Sequence, residues 1–212
     1  MAIIKQGIMG GFSGTIGNIV GSSWKGIDVM KSKPLSVSNP KTAAQQAQRG
    51  AFGQCVAVAA SLLSVIIKPL WDRFSMQMSG FNAFVSENIS NFDADGIISY
   101  PDLVISKGKM ESTPVDEIAE DSGDDTIDIA WVADGGTGYK LNSDIPYCVL
   151  INETSGWIVK INVADKTRFD EGFDGIPTPG WESGDVLHAY LAFKRADGTV
   201  VSDTGWKSRT LA

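Results

Sequence analysis

The sequence predicts an α+β, mainly β chain: Gly-rich N-terminal strands, a central helix and a second helix, then a C-terminal immunoglobulin/fibronectin-like β-sandwich. Three observations support this prediction. Residues 1–34 combine glycine with large apolar side chains, and residues 40–67 have the composition of one long helix. Residues 102–212 contain short alternating or β-branched runs between turn signals. We divide the chain into a module at 1–95 and a β-sandwich at 96–212.

The N-terminal arm, residues 1–34, is predicted to be extended. Seven of the chain's 23 glycines lie between Gly7 and Gly26. Each would cost a helix about 1 kcal/mol relative to alanine, and flexible linkers lack the large apolar groups found here. We expect an extended lead at Ile3–Met9 and a hairpin at Asn18–Lys33 with Gly26 near its bend. The apolar side chains need a surface from the rest of the chain, from a neighbouring copy, or from both.

A long helix is the best local signal after the arm. Asn39 is a good N-cap and Pro40 suits the first helical position, so we predict a helix from Pro40 to about Ile67. A second helix is predicted at Gly80–Ile89. The apolar spine of the first helix follows steps of four and three residues and consists of Phe52, Val56, Ala59, Leu63 and Ile66.

The C-terminal half of the long helix should be enclosed on most sides. The 13 residues from Cys55 to Ile67 include no charged side chain. We expect the Gly-rich strands, or neighbouring subunits, to wrap this part of the helix. A membrane span needs about 20 apolar residues, and the run ends at Lys68 and Pro69, so no membrane span is predicted.

The β-sandwich is predicted from its strands, its turns and its aromatic residues. Trp131 and Tyr190 are the expected core aromatics, and Ala196-Asp197-Gly198 is a tight turn. The absence of the hallmark disulfide fits a fibronectin-like variant. We expect residues 96–212 to fold alone. The predicted strands are 103–110, 125–133, 146–154, 156–164, 185–195 and 199–206.

The charge is divided unevenly along the chain. Residues 1–90 hold eight basic against three acidic side chains, whereas residues 91–212 hold ten against 22. The basic end of one copy therefore suits the acidic end of another, or a nucleic acid; the alternative is a solvated acidic surface. Nucleic acid is the less favoured partner, because the basic residues are sparse and match no known motif. They are Lys5, Lys25, Lys31, Lys33, Lys41 and Arg49.

The cysteines and the N-terminus indicate a cellular compartment. Cys55 and Cys148 are the only cysteines and lie in different predicted modules, so a reducing compartment fits better than a disulfide framework. We recognise no signal peptide, because glycines interrupt the apolar region that should follow Lys5. The expected location is the cytoplasm, or a virion after assembly.

No catalytic residue, cofactor or metal site is predicted. The single histidine, His188, lies in an apolar strand pattern and is interpreted as structural. One loop comes close to a helix–loop–helix calcium pattern, with glycine at its sixth position. Its last ligand is aspartate rather than bidentate glutamate, and Pro101 blocks the helix that should follow, so we favour an interdomain turn. The weak candidate ligands are Asn91, Asp93, Asp95 and Asp102.

Three segments point to a known family. They are residues 3–34 (IIKQGIMGGFSGTIGNIVGSSWKGIDVMKSKP), 39–52 (NPKTAAQQAQRGAF) and 184–206 (GDVLHAYLAFKRADGTVVSDTGW). Together they resemble an uncharacterised domain-of-unknown-function family of short proteins from gut and environmental bacteria and their phages. The resemblance covers nearly the whole chain. It implies a Gly-rich N-terminal region followed by a β-sandwich, and it supplies no activity and no site residue.

The leading hypothesis is a non-enzymatic structural protein that self-assembles, such as a phage virion or phage-derived assembly component. Its partners would be other copies and other virion proteins. The alternative is a monomeric intracellular ligand- or protein-binding module built on the β-sandwich, and the third hypothesis is an enzyme with an unrecognised site. Mass in solution separates the first two. The predicted subunit contacts are Phe12, Ile16, Ile19, Trp24, Phe52 and Leu63.

Overall fold

The computed structural model describes residues 3–4, 10–36, 38–121, 126–156, 158–161, 166–178, 180 and 182–212. Within these residues the protein is mostly β, with three antiparallel sheets and two principal helices. The predicted α+β, mainly β class is therefore confirmed. The predicted lead is described only at strand β1 (Ile3–Ile4); its remaining residues, 5–9, lie outside the described part of the chain.

The arm forms a four-stranded antiparallel sheet of its own. After β1 come β2 (Phe12–Ile16), β3 (Ile19–Trp24) and β4 (Ile27–Ser32), which pair in sequence order. The predicted hairpin is confirmed, because β3 and β4 pair across a two-residue turn. Lys25 and Gly26 in this turn have φ angles of 45° and 84°. Two successive positive φ values are typical of the type I′ turn, whose twist matches that of the strands.

Two principal helices follow the arm. The first, α1 (Ala43–Leu62), continues through a π-helical turn at Leu63–Ile67 into the short helix α2 (Lys68–Leu70). The second, α3 (Gly80–Asn88), lies where the second helix was expected, and the Ser79 hydroxyl caps it by accepting a hydrogen bond from the Asn82 N–H.

The predicted N-cap of α1 is wrong. The capping residue is Thr42, whose hydroxyl accepts a hydrogen bond from the Gln45 N–H at 3.4 Å. The side chain of Asn39 instead accepts a hydrogen bond from Arg49 Nη2. The helix α1 therefore begins at Ala43 instead of Pro40.

The buried face of α1 is rotated relative to the predicted spine. Phe52 is 52% exposed and Leu63 is 36% exposed, whereas Ala51 and Leu62, the residues just before them, are buried. The helix is apolar or small all round in this region, so the pattern alone does not distinguish the inner face from the outer. The π-helical turn also changes the helical phase after Leu62. The buried residues are Ala51, Cys55, Ala59, Leu62, Ile66 and Ile67.

The C-terminal strands build two further antiparallel sheets. The strands are β5 (Val115–Asp121), β6 (Thr126–Trp131), β7 (Ile145–Asn152), β8 (Ile158–Ile161), β9 (Gly172–Pro177), β10 (Val186–Lys194) and β11 (Gly205–Thr210). One sheet has the order β5-β6-β9 and the other the order β11-β10-β7-β8. The predicted strands at β6, β7, β8 and β10 are confirmed within the described residues, and the predicted positions 125, 157 and 162–164 lie outside them. The expected core aromatics, Trp131 and Tyr190, are both buried.

Two predicted strands are wrong. Residues 103–110 form no strand, because side chains from elsewhere accept hydrogen bonds from their backbone. Asn88 Oδ1 accepts from the Val104 N–H at 2.7 Å, and Thr204 Oγ1 accepts from the Ile105 N–H at 3.0 Å. The second is the strand predicted at 199–206. The observed strand, β11, begins at Gly205, so most of the predicted range precedes it.

The sequence prediction also lacks β5 and β9. The sequence of β5, VDEIAED, holds four acidic residues and only two large apolar ones. The sequence of β9, GFDGIP, holds two glycines and a proline, which are depleted in strands. Both strands lie at the edges of the three-stranded sheet, where pairing on one side is sufficient and strand propensity is a weak guide.

The C-terminal sheet β11-β10-β7-β8 lies between the helices and the three-stranded sheet β5-β6-β9. On β7, Tyr147 and Val149 pack in the cluster that contains the helices, while Cys148 and Leu150 pack in the cluster shared by the two sheets. A strand covered on both faces is apolar at nearly every position instead of at alternate positions. This explains the continuous apolar runs of β7 and β10.

The shared core changes what we expect of residues 96–212 expressed alone. The helix-side cluster joins Leu62 and Phe84 to Val149 of the sheet. Without the helices that face would meet water, so we expect the fragment to aggregate or to melt without cooperativity. A chain lacking residues 2–33 should melt cooperatively under the same conditions. Circular dichroism melts compare the two, and a soluble, cooperative 96–212 fragment would restore the division into independent modules.

Candidate assembly interface

The arm sheet presents large apolar side chains on both of its faces. Paired residues of antiparallel strands point to the same face, and successive residues point to opposite faces. The pairs Trp24 with Ile27 and Gly21 with Met30 therefore belong to opposite faces. The first face, here called the tryptophan face, contains Val20, Trp24, Ile27 and Val29. The second, called the methionine face, contains Phe12, Ile16, Ile19 and Met30.

These side chains remain largely exposed in the single chain. Trp24 is 58% exposed and Met30 is 67% exposed. Neither of the two hydrophobic clusters formed by the described residues includes a residue of the arm. The arm does touch the loop before α3, where Lys25 Nζ donates a hydrogen bond to the Met78 carbonyl. Its apolar surface is therefore left without cover in the described part of the chain.

Phe12 is the one predicted arm contact that is partly covered. Its ring lies over Gly21, which is buried, and a Cβ atom at Gly21 would come within 2.6 Å of the ring. Only glycine allows the ring to approach the β3 backbone this closely. The contact stabilises β2 on β3 and leaves Ile16, Ile19 and Met30 exposed on the methionine face.

A second uncovered surface lies on α1, on the side opposite its buried residues. This side, here called the outer face of α1, is a stripe of small, exposed residues: Gly53, Ala57, Ala60 and Ser64. Two predicted subunit contacts, Phe52 and Leu63, flank it and are exposed. Beside it lies an apolar groove of about 390 Å³ between α1 and α3, lined mainly by Phe52, Phe81, Val85 and Ile89.

The prediction that the Gly-rich strands wrap the central helix is wrong for the described part of the single chain. The hydrophobic cluster that buries α1 contains residues of the other helices and of the C-terminal sheet β11-β10-β7-β8. No arm residue belongs to it. The arm is instead a separate sheet, because its strands pair with one another. Neighbouring subunits are the other possible cover that the sequence predicts for the helix, and that expectation stays a prediction.

The continuous helix is longer than the uncharged run suggested. Ala43–Leu70 spans 28 residues and is long and apolar enough to cross a membrane by length and composition. One third of its most apolar stretch, 33%, is buried within the protein. The core helix of a globular protein passes the same test, so this observation by itself is weak evidence for a membrane span.

An acidic cleft borders α1 on the side away from α3. Asp93, Asp95 and Glu153 line it together with Gln54 and Val58 of the helix, and its volume is about 420 Å³. The Gln54 amide donates a hydrogen bond to the carbonyl of Ala94 at 3.3 Å, which ties the helix to the loop. The cleft therefore places negative charge next to the N-terminal half of the outer face of α1.

The candidate calcium loop is organised by its own hydrogen bonds. Asp93 Oδ1 accepts from the N–H groups of Asp95 at 2.8 Å and Gly96 at 3.0 Å. The Ser99 hydroxyl donates to Asp102 Oδ2 at 2.6 Å. Across the described residues, no three acidic, histidine or cysteine side chains are grouped closely enough to hold a metal ion.

We expect calcium to bind no more tightly than about the millimolar range, the weak end of such sites. The carboxylate of Asp93 already caps a turn, and Asn91 Nδ2 donates to the Asp102 carbonyl at 2.7 Å, so the loop is closed without an ion. Calorimetric titration of the full chain measures the affinity. A micromolar signal that disappears in Asp93→Ala would make this loop a true site.

His188 lies in a stack of aromatic rings on the helix side of β10. Its ring centroid is 4.2 Å from that of Tyr100 and 6.1 Å from that of Trp206. Its Nε2 lies 3.0 Å from Glu153 Oε2, and its Nδ1 is buried with no hydrogen-bond partner among the described residues. These contacts describe a packed histidine, and Glu153 links it to the acidic cleft.

One family model matches the sequence over residues 11–206. The chain belongs to the family of unknown function DUF6266. The resemblance to a domain-of-unknown-function family is thereby confirmed. No curated protein matches the sequence. The DUF6266 match extends from β2 to the start of β11, so it includes both uncovered surfaces and most of the three sheets, and it assigns no activity to any residue.

The DUF6266 region also contains a buried charge cluster that the sequence did not reveal. Arg168 is fully buried, its Nε lies 3.4 Å from Asp144 Oδ2, and its guanidinium pairs with Asp134. Burial raises the pKa of Asp134, but hydrogen bonds from Lys140 and the charge of Arg168 outweigh it, so the pKa lies below its usual value. The guanidinium also lies 3.8 Å from the ring centre of Phe193. Two cations pair with two anions here, and Asp144 Oδ1 is buried with no hydrogen-bond partner among the described residues. The pairing of all four charges indicates a structural role.

Proposed function

We propose that the protein is a non-enzymatic structural protein that self-assembles through its arm. The observation that supports this proposal is the arm sheet, whose large apolar side chains are exposed on both faces. A small isolated sheet is marginal in water unless a hydrophobic face is covered. Contiguous exposed apolar surface is typical of interaction sites.

The energetics of the arm favour a covered state. Ordering its backbone costs about 1–2 kcal/mol per residue, and a large apolar side chain returns about 1.5–3 kcal/mol when fully buried. Trp24, Ile27 and Met30 obtain only part of this gain in the single chain, where they remain 40–67% exposed. A neighbouring subunit that covers these side chains supplies the rest.

We propose other copies of the chain as the partners and, in a phage virion or phage-derived particle, other virion proteins. The resemblance to short proteins of bacteria and their phages supports the particle. The separation of a basic N-terminal part from an acidic remainder supports contacts between copies. Before assembly the protein would reside in the cytoplasm.

We infer that the two C-terminal sheets form an immunoglobulin/fibronectin-like sandwich. In chain order, β5, β6 and β9 take the positions of strands A, B and E, while β7, β10 and β11 take those of C, F and G. β8 pairs with β7 at the edge of the second sheet, as the C′ strand does in immunoglobulin variable domains. The hydrophobic cluster that both sheets share supports the face-to-face packing of such a sandwich.

The alternative function is a monomeric ligand- or protein-binding module. The acidic cleft supports it, because Asp93, Asp95 and Glu153 surround an open volume of about 420 Å³ that suits a cationic group. In that case the arm would be covered by its own chain in solution, and the protein would have the mass of one subunit at every concentration.

Sedimentation velocity over a concentration series tests the proposed function. We expect the wild type to be oligomeric at micromolar concentration and Trp24→Lys to raise the dissociation constant by at least about tenfold, because a charge would enter an apolar contact. Val132→Lys is the matched control, since Val132 is 57% exposed and follows β6 in the sheet away from the helices. A wild type that remains monomeric with a protease-resistant arm would favour the binding module.

A further inference from the structure

We propose that the tryptophan face of the arm packs on the outer face of α1 in a second copy of the chain, with Lys31 directed to the acidic cleft. This inference rests on the proposed self-assembly and names the two surfaces that meet. Each copy carries one arm and one α1, so each subunit is able both to give and to receive an arm. Two copies that exchange arms form a closed dimer, whereas copies that each pass the arm to the next make head-to-tail contacts. Such contacts build rings when the rotation closes and filaments when it does not.

Gly53 points to a partner on the outer face of α1. A glycine inside a helix costs about 1 kcal/mol relative to alanine. Gly50, one turn earlier, has a reason within the chain, because a Cβ atom there would come within 2.7 Å of the Ala94 Cβ. A Cβ atom at Gly53 would meet no atom within 4 Å. Close approach of another chain accounts for a glycine that this chain itself does not require.

The shapes of the two surfaces also match. Gly53, Ala57 and Ala60 present almost no side chain, so a flat surface is able to approach the helix closely. The tryptophan face supplies the bulk that such a surface lacks, in Trp24, Ile27 and Val29, and these side chains are 40–58% exposed. The apolar groove beside Phe52 offers further space for a large ring.

The charge distribution along the chain favours a second copy as the partner that covers the outer face of α1. Residues 1–42 contain five lysines and one aspartate, whereas residues 43–212 contain 13 basic and 24 acidic residues. Lys31 pairs with Val20 across β3 and β4, so it lies on the tryptophan face. The matching negative charges are those of the acidic cleft, Asp93, Asp95 and Glu153, beside the N-terminal half of the outer face.

The opposite end of α1 determines the direction of docking. Lys68 and Lys160 line a groove of about 570 Å³ there, and Lys160 Nζ donates a hydrogen bond to the Ser61 carbonyl at 3.0 Å. Lys31 of the arm would be repelled at this end and attracted at the end near Gln54. The arm therefore lies with Lys31 toward Gln54 and away from Lys68.

Disulfide trapping between two variants of the full chain tests this contact. Val29→Cys and Ala57→Cys are expressed with different tags, mixed and oxidised. Val29 belongs to the tryptophan face and Ala57 to the outer face of α1, so we expect a mixed disulfide dimer. Met30→Cys with Ala57→Cys is the matched control, because Met30 is the next residue and points to the opposite face. We expect at least about tenfold less mixed dimer from it.

The native cysteines do not interfere with this experiment. Cys55 and Cys148 are both buried and free. Burial raises the pKa of both thiols above the usual range, so little reactive thiolate forms at neutral pH. The wild type, which carries only these two, should give no cross-linked dimer.

The other outcomes distinguish this inference from the proposed function. Disulfides between two Val29→Cys chains in an oligomer would mean that arms pair with arms, which overturns the inference and keeps the assembly. A wild type that is monomeric throughout would overturn both. Flotation of the wild type with phosphatidylcholine–phosphatidylglycerol vesicles, lost in Ala57→Glu, would assign the outer face of α1 to a membrane and overturn the inference alone.

Gly53→Ala distinguishes a role of Gly53 in the subunit contact from a role in the helix alone. The replacement should raise the melting temperature of the subunit, since alanine favours the helix and its Cβ atom meets open space. It should also raise the dissociation constant of the oligomer by at least about tenfold, the effect of a loss of roughly 1.4 kcal/mol. A variant that melts higher and assembles as well as the wild type would remove Gly53 from the contact and contradict the proposed docking.

Discussion

Leu62→Asp should unfold the protein, and Leu63→Asp should leave it folded but unable to assemble. The two residues are neighbours with opposite surroundings: Leu62 is fully buried in the helix-side cluster, whereas Leu63 is 36% exposed beside the outer face of α1. Removing a buried leucine costs about 2–5 kcal/mol, and an unpaired buried charge costs several kcal/mol more. A typical domain has only about 5–15 kcal/mol of stability.

In the single chain, the carboxylate introduced at position 63 would be in contact with water. We therefore expect the unfolding free energy of Leu63→Asp to fall by no more than about 1 kcal/mol, within the range of ordinary substitutions. In the assembly the same charge would be enclosed by a neighbour, so the oligomer should dissociate.

Urea unfolding followed by circular dichroism measures the stability of both variants, and sedimentation measures their mass. Leu62→Met and Leu63→Met are the matched controls, because they keep the volume without adding charge. If Leu62→Asp stays folded, the inner face of α1 has been assigned wrongly. If Leu63→Asp is folded and keeps the wild-type mass, this flank of the helix is free of subunit contacts.

The sequence predicted the elements whose pattern is local. The hairpin of β3 and β4 is predicted with Gly26 near its bend, and α3 is predicted at Gly80–Ile89. The strands β7 and β10 are visible as continuous apolar runs, but the sequence does not say what covers their second face. The helices of the N-terminal part do so, and only tertiary packing reveals that.

The rotated face of α1 shows the limit of periodicity. Phe52 and Leu63 have the spacing of a buried stripe, yet the smaller Ala51 and the adjacent Leu62 are the residues turned inward. Between Cys55 and Ile67 no charged residue marks the solvent-facing side of the helix, so the pattern does not identify its buried side there. A subunit contact would also require an exposed apolar surface on the helix. The apolar residues that make the buried side hard to identify are therefore consistent with the proposed assembly.

The buried charge cluster was beyond prediction for another reason. Asp134, Lys140 and Asp144 lie in the loop between β6 and β7, and Arg168 joins them from the distant segment between β8 and β9. Their spacing follows no recognition motif, and each alone has the appearance of a solvated loop residue.

Deletion of residues 2–33 should leave a folded protein and convert the oligomer to a monomer. No arm residue belongs to either hydrophobic cluster of the described chain, and the hydrogen bond from Lys25 to Met78 is exposed. We expect the free energy of unfolding of the subunit to change by no more than about 1 kcal/mol. The loss of assembly should be complete, because the deletion removes both faces of the arm sheet.

Sedimentation velocity of the full chain and the deletion, at matched concentration, is the most direct measurement of assembly through the arm. The full chain should sediment as an oligomer, and the deletion as a folded monomer with a cooperative melt. An oligomer of unchanged size after the deletion would place the contacts elsewhere. A deletion that unfolds, from a full chain that is already monomeric, would make the arm part of the protein's own core and contradict the account.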